Sequence, residues 1–184
     1  GAHYELSPMY HQIILFRALE LYDWYSNWQG KETGFTNLLK TKAELMLSWL
    51  EKISFENGDI PHFNDSTNGI SFRTEDLKSY SKSLGLEVNS VPLSDSGYRA
   101  VNKEAYEIRI DFAQIAPSYQ PGHAHADALS FILYHKGKPL FVEQGTSTYN
   151  IGERRSLERS TQAHNCVVVD TYFNLLRGYR KGFR

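Results

Sequence analysis

Apolar residues in the first third of the chain recur at the three- and four-residue spacing of an α-helix. Ser7 and Pro8 form a typical helix start, because Ser caps free backbone N–H groups and Pro suits the first helical position. The apolar positions that follow lie on several sides of the helix axis, which predicts a helix enclosed by neighbours. These positions are Ile13, Ile14, Leu15, Leu19, Leu21, Tyr22 and Trp24.

Two further helices are predicted before residue 90. The helix after Gly34 has one apolar face and one face that carries Lys and Glu, so it is half exposed. With the first helix it forms an αα-hairpin across a short loop that contains Gly. A shorter helix is predicted at 75–84, with Thr74 as its N-cap and Gly85 at its end.

The pattern changes after about residue 95, where apolar and β-branched residues form short runs. Such runs are typical of β-strands, and Lys136-Gly137-Lys138 supplies a turn between two of them. Helices followed by strands indicate an α+β fold with segregated layers. We therefore divide the chain into a helical segment, 1–90, and a sheet segment, 91–184. The predicted strands are 98–101, 106–112, 129–134, 139–142 and 166–169.

Composition and charge narrow the classes of function. The chain has 184 residues, of which 41% are hydrophobic and 14% aromatic, as in a folded globular protein. The net charge of −1 gives no general attraction to nucleic acid or to an anionic membrane, so neither is expected as a partner. The single cysteine, Cys166, excludes an internal disulfide. No signal peptide is visible, and no apolar stretch reaches the ~18 residues of a membrane span.

A histidine-rich block carries the candidate chemistry. His123 and His125 are two positions apart, so in an extended strand both side chains leave the same face. Glu143 follows one apolar run, and His164 precedes another. Imidazole and carboxylate ligands from adjacent strands suit a three-ligand zinc site with an open position, to which Asp127 would add a fourth ligand. Ordinary hydrogen-bonded packing of these residues is the alternative.

Three stretches together resemble the heparinase II/III family of polysaccharide lyases in order and spacing. They are Pro-Gly-His-Ala-His-Ala-Asp-Ala-Leu-Ser-Phe at 121–131, Pro-Leu-Phe-Val-Glu-Gln-Gly-Thr at 139–146, and Arg-Ser-Thr-Gln-Ala-His-Asn-Cys-Val-Val-Val-Asp at 159–170. Tyr-Glu-Leu-Ser-Pro-Met-Tyr-His at 4–11 is also similar to the family's last toroid motif. The resemblance implies the last helices of an (α/α) toroid, followed by the first part of an antiparallel β-sandwich.

The resemblance also implies β-elimination across the glycosidic bond of a uronic-acid-containing polysaccharide. That reaction removes the proton next to the uronate carboxylate and protonates the leaving oxygen, so it needs groups whose pKa values lie near working pH. Tyr10 matches the family's tyrosine and is the candidate general acid/base, and His123 matches the histidine that faces the cleft. Arg159, His11 and Tyr119 are the candidate substrate contacts, since Arg forks pair with carboxylates and sulfates.

The same resemblance implies that His125, Glu143 and His164 bind a metal, zinc in the first place and calcium as the alternative. The chain departs from the family at Glu143, where Asp is usual, and the longer side chain changes the ligand geometry. The family also draws carboxylate-binding residues from helices that precede Gly1. We therefore expect this 184-residue chain to have little or no lyase activity by itself.

Two other interpretations stay open at this stage. A cupin also uses His-x-His, a carboxylate and a later His, but it places a Glu soon after the pair, where this chain has Asp127. The second is a non-catalytic carbohydrate-binding or structural β-sandwich module. Under the lyase interpretation, the partners are an acidic polysaccharide and either the rest of a parent protein or a second copy. The family implies a bacterial periplasmic or secreted setting, with the cytoplasm as the alternative.

Overall fold

The computed structural model describes residues 2–29, 33–117 and 119–168. The helices are α1 (Pro8–Gln29), α2 (Gly34–Ile53), α3 (Thr74–Ser83) and α4 (Glu153–Glu158), the strands are β1 (Tyr98–Asn102), β2 (Tyr106–Asp111), β3 (Phe131–His135) and β4 (Lys138–Phe141), and 3₁₀ turns occupy Ser94–Ser96 and Thr161–Ala163. The α+β class predicted from the sequence is confirmed. Among the helices of the described ranges, none has the length and sustained apolarity that a membrane span needs.

The starts of α1 and α3 differ in how their first N–H groups are bound. Ser7 Oγ accepts a hydrogen bond from the Tyr10 N–H at 3.2 Å, so it caps α1 as predicted. α3 begins one residue earlier than predicted, because Thr74 lies inside the helix and is buried. The Thr74 hydroxyl accepts from the Gln12 amide at 3.2 Å, and Asp76 binds the N–H that precedes the helix. Thr74 therefore joins α3 to α1 and does not cap its own helix.

The four strands form one antiparallel sheet in the order β1-β2-β3-β4. Tyr98 of β1 lies opposite Asp111 of β2. Lys136 and Gly137 both have positive φ, 50° and 70°, which is the backbone of the tight turn predicted between β3 and β4. The first four predicted strands thus agree with the structure to within about two residues at each end.

The fifth predicted strand, 166–169, is wrong over its described part. Residues 166–168 form no strand, and Val169 lies outside the described residues, as does the rest of the sheet segment up to 184. At this position a side chain binds the sheet instead. The Asn165 amide donates to the Val142 carbonyl at 2.8 Å and to the Phe131 carbonyl at 3.1 Å. The Asn165 side chain therefore links the start of β3 to the end of β4, next to the position of the predicted fifth strand.

Helices and sheet share one hydrophobic core in the described residues. Phe55, just after α2, stacks on Tyr134 of β3 with ring centroids 3.8 Å apart. Phe63 stacks in the same way on Tyr98 of β1 at 5.2 Å, and Trp49 of α2 approaches Tyr98 at 6.1 Å. This core contains residues from both sides of residue 90. The division of the chain into segments 1–90 and 91–184 stays a prediction.

The irregular segment 54–73, between α2 and α3, connects the helical layer to the sheet. Asn64 lies at its centre with a φ of 54°, a conformation that Asn tolerates better than most residues. The Asn64 amide donates to the Leu6 carbonyl at 3.1 Å and to the Tyr98 hydroxyl at 3.2 Å. Its Oδ1 accepts from the His125 N–H at 3.0 Å. One buried amide thus joins the chain before α1, strand β1 and the histidine block.

Candidate active site and metal cluster

Two tyrosines and a histidine meet at one cleft. Tyr10 lies in the first turn of α1, and its hydroxyl is 3.0 Å from that of Tyr149. The centroid of the His123 ring is 4.2 Å from that of Tyr10 and 6.1 Å from that of Tyr149. The structure therefore brings together Tyr10 and His123, the two residues to which the sequence assigns the acid–base chemistry. It adds Tyr149, which the sequence analysis did not single out.

Tyr149 holds its proton more tightly than a free tyrosine does. Tyr149 is only partly buried. This partial burial is the main cause of its raised pKa, and the hydrogen bond with Tyr10 and the negative charge of Asp65 raise the pKa further. The Arg155 guanidinium, whose central carbon is 5.2 Å from the Tyr149 ring centroid, has the opposite effect on this pKa. At neutral pH Tyr149 is thus protonated and able to donate toward Tyr10.

A fully buried carboxylate, Asp65, lies behind the cleft histidine. Its Oδ2 accepts from His123 Nδ1 at 2.9 Å, and its Oδ1 accepts from His125 Nε2 at 2.8 Å. Arg155 binds both oxygens with its guanidinium fork, with 2.6 Å between Nη2 and Oδ2. Burial by itself raises the pKa of the Asp65 carboxyl, but the hydrogen bonds from both imidazoles and the guanidinium outweigh burial and hold that pKa well below its usual range. Asp65 is therefore an anion.

The open side of His123 faces the chain before α1. His123 Nε2 is 3.5 Å from a carboxylate oxygen of Glu5. Next to Glu5, the Tyr4 ring lies nearly parallel to that of Tyr119, at 26° and with 6.0 Å between the centroids. Both rings are exposed, and an exposed flat ring suits the apolar face of a sugar. The role of Tyr119 as a substrate contact stays a prediction.

A second group of side chains has the donor set of a metal site. His125, Asp127 and His164 are all buried, and one ligand atom from each lies within 4.8 Å of the others. His125 Nδ1 and His164 Nε2 are buried without a hydrogen-bond partner, which is rare for polar atoms inside a protein. Two unpartnered imidazole nitrogens beside a carboxylate are ligands that zinc prefers, so these residues fit the metal that the resemblance implies.

Glu143, which the resemblance implies as a ligand, lies outside this cluster, and its role as a ligand stays a prediction. Its Oε2 accepts from His164 Nδ1, and its Oε1 accepts from the Asn165 N–H at 2.7 Å. The longer Glu side chain reaches the far nitrogen of His164, so the carboxylate of the cluster comes from Asp127. A carboxylate in the position of Glu143 orients a metal-binding imidazole through its other nitrogen.

The two imidazoles of the cluster differ in their preference for a proton. Burial lowers the pKa of His125 by more than the neighbouring Asp65 and Asp127 raise it. Burial also lowers the pKa of His164, but the hydrogen bond and the charge of Glu143 outweigh it, and the pKa is raised. His125 is thus ready to bind a metal as a neutral ring, whereas a metal at His164 competes with a proton that Glu143 favours.

Two of the predicted substrate contacts, His11 and Arg159, form hydrogen bonds within the chain. His11 is fully buried, and its ring nitrogens bind the Met46 carbonyl at 2.8 Å and the His3 N–H at 3.1 Å. This geometry contradicts a contact between His11 and a substrate. Arg159 donates to the Ala124 carbonyl at 2.8 Å and so braces the histidine block. Its role in substrate binding stays a prediction.

Sequence reasoning missed Asp65, Tyr149 and the place of Arg155. Charged residues in loops and short charged helices are usually solvated, and the Arg154 side chain does lie exposed, 3.1 Å from a carboxylate oxygen of Glu158. Arg155, in contrast, is buried against Asp65. The available signal was the four-residue spacing of Arg155 and Arg159, which would place both side chains on the same side of a helical turn.

Comparisons with known proteins agree on one family. The family model described as "Heparinase II/III N-terminus" matches residues 1–85, and the model described as "Heparinase II/III-like, C-terminal" matches residues 87–179. No curated protein matches the sequence.

Solved structures show the same similarity in fold. A heparinase III gives a TM-score of 0.71 at 20% identity, over 91% of this chain and 30% of that chain. Heparan sulfate lyase HepC from Pedobacter heparinus gives 0.65 at 20% identity, over 89% of this chain and 29% of that chain. A further heparinase III structure gives 0.63 at 19% identity, over 89% and 31%. The chain thus spans about a third of the length of the structures that it matches.

The helical layer and its antiparallel sheet have the fold of the corresponding part of the heparinase III structures. The chain belongs to the heparinase II/III family. The cupin alternative is therefore wrong.

Proposed function

We propose that this chain supplies the tyrosine and histidine side of an active site that cleaves a uronic-acid-containing polysaccharide by β-elimination. The observation that carries the proposal is the meeting of Tyr10, Tyr149 and His123 at one cleft. Acid–base catalysis requires such a meeting, whereas a binding or structural module does not. The heparan sulfate lyase among the similar structures supports an anionic glycan as the substrate.

In the proposed reaction Tyr10 is the general acid/base. The proton leaves the carbon next to the uronate carboxylate, and the electron pair of the broken C–H bond forms the new carbon–carbon double bond. The glycosidic oxygen leaves with the electrons of its own C–O bond and takes up a proton. Tyr149 stays protonated and donates toward the Tyr10 oxygen, which stabilises Tyr10 after it has lost its own proton. His123 is in contact with the Tyr10 ring and presents Nε2 on the open side, where this nitrogen takes up the proton from the carbon while Tyr10 gives its own proton to the leaving oxygen.

The reaction also requires cations or donors that neutralise the uronate carboxylate as negative charge develops. Arg155, the guanidinium beside the cleft, is already bound to Asp65. We infer that the neutralising groups come from further helices of a longer protein, since the similar structures are about three times as long as this chain. The exposed rings of Trp24 and Trp28 on α1 support a surface that another part of the protein covers.

We also propose that His125, Asp127 and His164 bind zinc and not calcium, because calcium prefers oxygen ligands and two of these three are imidazoles. The ion would supply a positive charge that joins the histidine block to the segment around His164. Asp65 and Glu143 hold the far nitrogens of the two imidazoles.

Replacing Tyr10 with Phe tests the catalytic proposal, since the ring stays and the hydroxyl is lost. In the longer protein we expect a ~10²–10⁴-fold loss of lyase activity. The activity is measured from the ultraviolet absorbance of the conjugated double bond in the product. Tyr25→Phe is the matched control on the same helix, because the Tyr25 ring packs on Phe35 away from the cleft. The control should keep the wild-type rate.

The proposal fails if the wild type cleaves no uronate polymer or if Tyr10→Phe is as active as the wild type. Binding without cleavage would favour the carbohydrate-binding module. The 184-residue chain by itself should show little or no cleavage, and measurable turnover would place the neutralising groups within it. The periplasmic or secreted location stays a prediction.

Elemental analysis of the purified protein tests the metal proposal. We expect zinc in near-stoichiometric amount in the wild type and its loss in both His125→Ala and His164→Ala, because each removes one of the three ligands. His135→Ala, at the end of β3 and stacked on Tyr106, is the control and should retain the metal. A wild type that contains no zinc would overturn the metal proposal and leave the family assignment intact.

A further inference from the structure

We propose that Asp65 is a positioning residue that sets the tautomers of His123 and His125 in opposite senses. His123 is left with a free Nε2 on the side of the cleft, and His125 is left with a free Nδ1 on the side of the metal cluster. The use of these two nitrogens in lyase chemistry and metal binding rests on the proposed function, whereas the tautomers themselves do not.

The four acceptor positions of the Asp65 carboxylate are all taken. Oδ1 receives His125 Nε2 at 2.8 Å and one nitrogen of the Arg155 fork. Oδ2 receives His123 Nδ1 at 2.9 Å and the other nitrogen of the fork at 2.6 Å. An ionised carboxylate offers about four lone-pair positions and only accepts, so each of these four partners is a donor.

This arrangement determines where the imidazole protons lie. A neutral imidazole carries one N–H, and the other ring nitrogen has a free lone pair. Because His123 donates to Asp65 through Nδ1, its free nitrogen is Nε2. Because His125 donates through Nε2, its free nitrogen is Nδ1. The two histidines are two positions apart in the block, yet they present different nitrogens to different sites.

The surroundings of the free His125 nitrogen agree with this assignment. His125 Nδ1 is buried without a hydrogen-bond partner, and His125 shares a ligand cluster with Asp127 and His164. A free lone pair there suits a metal, whereas a buried N–H without an acceptor would be costly. His123 Nε2 points to the other side, 3.5 Å from Glu5, and the His123 ring contacts Tyr10.

The backbone holds the Asp65 carboxylate in place from the chain before α1 and from the histidine block. Ser7 Oγ donates to the Asp65 carbonyl at 2.7 Å, and the Asp65 N–H donates to the His123 carbonyl at 3.1 Å. One residue therefore connects the start of α1, the cleft histidine and a histidine of the metal cluster. A change at Asp65 should alter both sites together.

Nitrogen-15 NMR of the imidazoles in the metal-free wild-type protein tests the assignment directly, because the two tautomers have different ring-nitrogen shifts. We expect a protonated Nδ1 in His123 and a protonated Nε2 in His125. The proposal is overturned if neutral His125 carries its proton on Nδ1, or if both histidines show the same tautomer. This measurement needs no variant, so it decides the matter even where a substitution prevents folding.

Asp65→Asn tests the consequence for both sites. An Asn side chain accepts through one oxygen and donates through its nitrogen, so it cannot accept from both imidazoles. We expect at least one of the two tautomers to change, and the affinity for zinc alone, measured by titration, to fall ~10–100-fold. Thr146→Val is the matched control, because it removes one hydrogen bond to Arg155 and leaves all four donors on Asp65.

Thr146→Val should retain both tautomers and a zinc affinity near that of the wild type. Unchanged tautomers and zinc affinity in a folded Asp65→Asn variant would overturn the proposal, and so would an equal loss of affinity in both variants. Lyase activity is read in neither experiment. Failure of the polymer assay with the expected tautomers would therefore remove the proposed function and leave the role of Asp65 standing.

Discussion

The buried imidazole of His11 makes the stability of the fold depend on pH. Burial lowers its pKa from 6.5 to about 3, and the hydrogen bond to the Met46 carbonyl opposes burial only in part. The unfolded chain therefore binds a proton at His11 well before the folded protein does. Because the folded-state pKa is lower than the unfolded one, this contribution to stability is complete above about pH 6.5 and is lost as the pH falls toward 3.

We predict that His11→Gln flattens the acid side of the stability profile. Gln can donate to the Met46 carbonyl but does not titrate. Below pH 6.5, the free energy of unfolding of the wild type should fall more steeply than that of the variant, by up to about 1.4 kcal/mol per pH unit. Urea unfolding at a series of pH values measures both slopes. Equal slopes for wild type and His11→Gln would contradict the prediction.

Gly145 lies where no side chain fits. Its φ is +61°, and a Cβ atom would lie 1.9 Å from the Ser66 carbonyl oxygen. The neighbouring Thr146 N–H donates to that same carbonyl at 3.1 Å. The close approach joins the loop after Glu143 to the segment that carries Asp65, so both halves of the site depend on it.

We predict that Gly145→Ala lowers the free energy of unfolding by clearly more than the ~1 kcal/mol scale of backbone effects alone. Gly69→Ala is the matched control, because Gly69 also has a positive φ (+85°) but has open space around it. Thermal or urea unfolding of both variants separates the clash from the backbone strain. Equal losses in the two variants would mean that the contact with Ser66 adds nothing.

At the scale of secondary-structure elements, Arg109 of β2 joins the sheet to the end of α2. Its Nε donates to the Ile53 carbonyl at 2.7 Å and its Nη2 donates to the Ser54 carbonyl. The last carbonyls of a helix lack donors within the helix and carry partial negative charge, so a cation is favoured there. The guanidinium also lies over the Phe55 ring at 4.6 Å, and Glu107 lies 3.6 Å away on the same face of the strand.

We predict that Arg109→Met lowers the free energy of unfolding by ~3–5 kcal/mol, because it leaves the Glu107 charge buried without its partner. Arg109→Met combined with Glu107→Gln should recover part of this loss. Urea denaturation measures all three proteins. Arg99→Met, at an exposed position of β1, should stay within about 0.5 kcal/mol of the wild type. A loss at Arg109 no larger than that at Arg99 would contradict the role of Arg109 as a link between sheet and helix.

At the scale of the whole molecule, a common core couples the helices to the sheet. Buried residues of α1, α2, α3, β1 and β3 belong to one cluster in the described part of the chain. A helical layer that folded without the sheet would expose the faces that Phe55 and Phe63 cover with Tyr134 and Tyr98. We therefore expect the helical and sheet segments to unfold together.

Phe55→Ala tests this expectation. The substitution leaves a cavity between the end of α2 and β3 and should cost ~3–5 kcal/mol. Far-ultraviolet circular dichroism follows the helices and near-ultraviolet circular dichroism follows the packed aromatic rings. Both signals should report one transition, shifted by the same amount in the variant. Two separate transitions would instead support independent domains that meet at residue 90.

Local patterns in the sequence predict three of the four helices, the first four strands and the family. The start of α1 at Ser7 and Pro8, the turn at Lys136 and Gly137 and the first four strands follow from local rules, because caps, turns and periodicity depend on neighbours within a few residues. The combination of motifs around His123 and His164 was specific enough to indicate the heparinase II/III family, which the family models confirm.

The side chains that meet in the site are brought together by the tertiary structure. Tyr10 contacts Tyr149 across 139 positions of sequence, and Asp65 contacts Arg155 across 90. No local pattern encodes such pairs, because charged residues in loops have the same appearance whether they are solvated or buried. The Glu143 carboxylate binds the far nitrogen of His164. The sequence does not show this contact, because it depends on how the two segments pack. Hydrophobic periodicity depends on residues within a few positions of one another. Charge pairing and desolvation depend on residues that only the folded chain brings together.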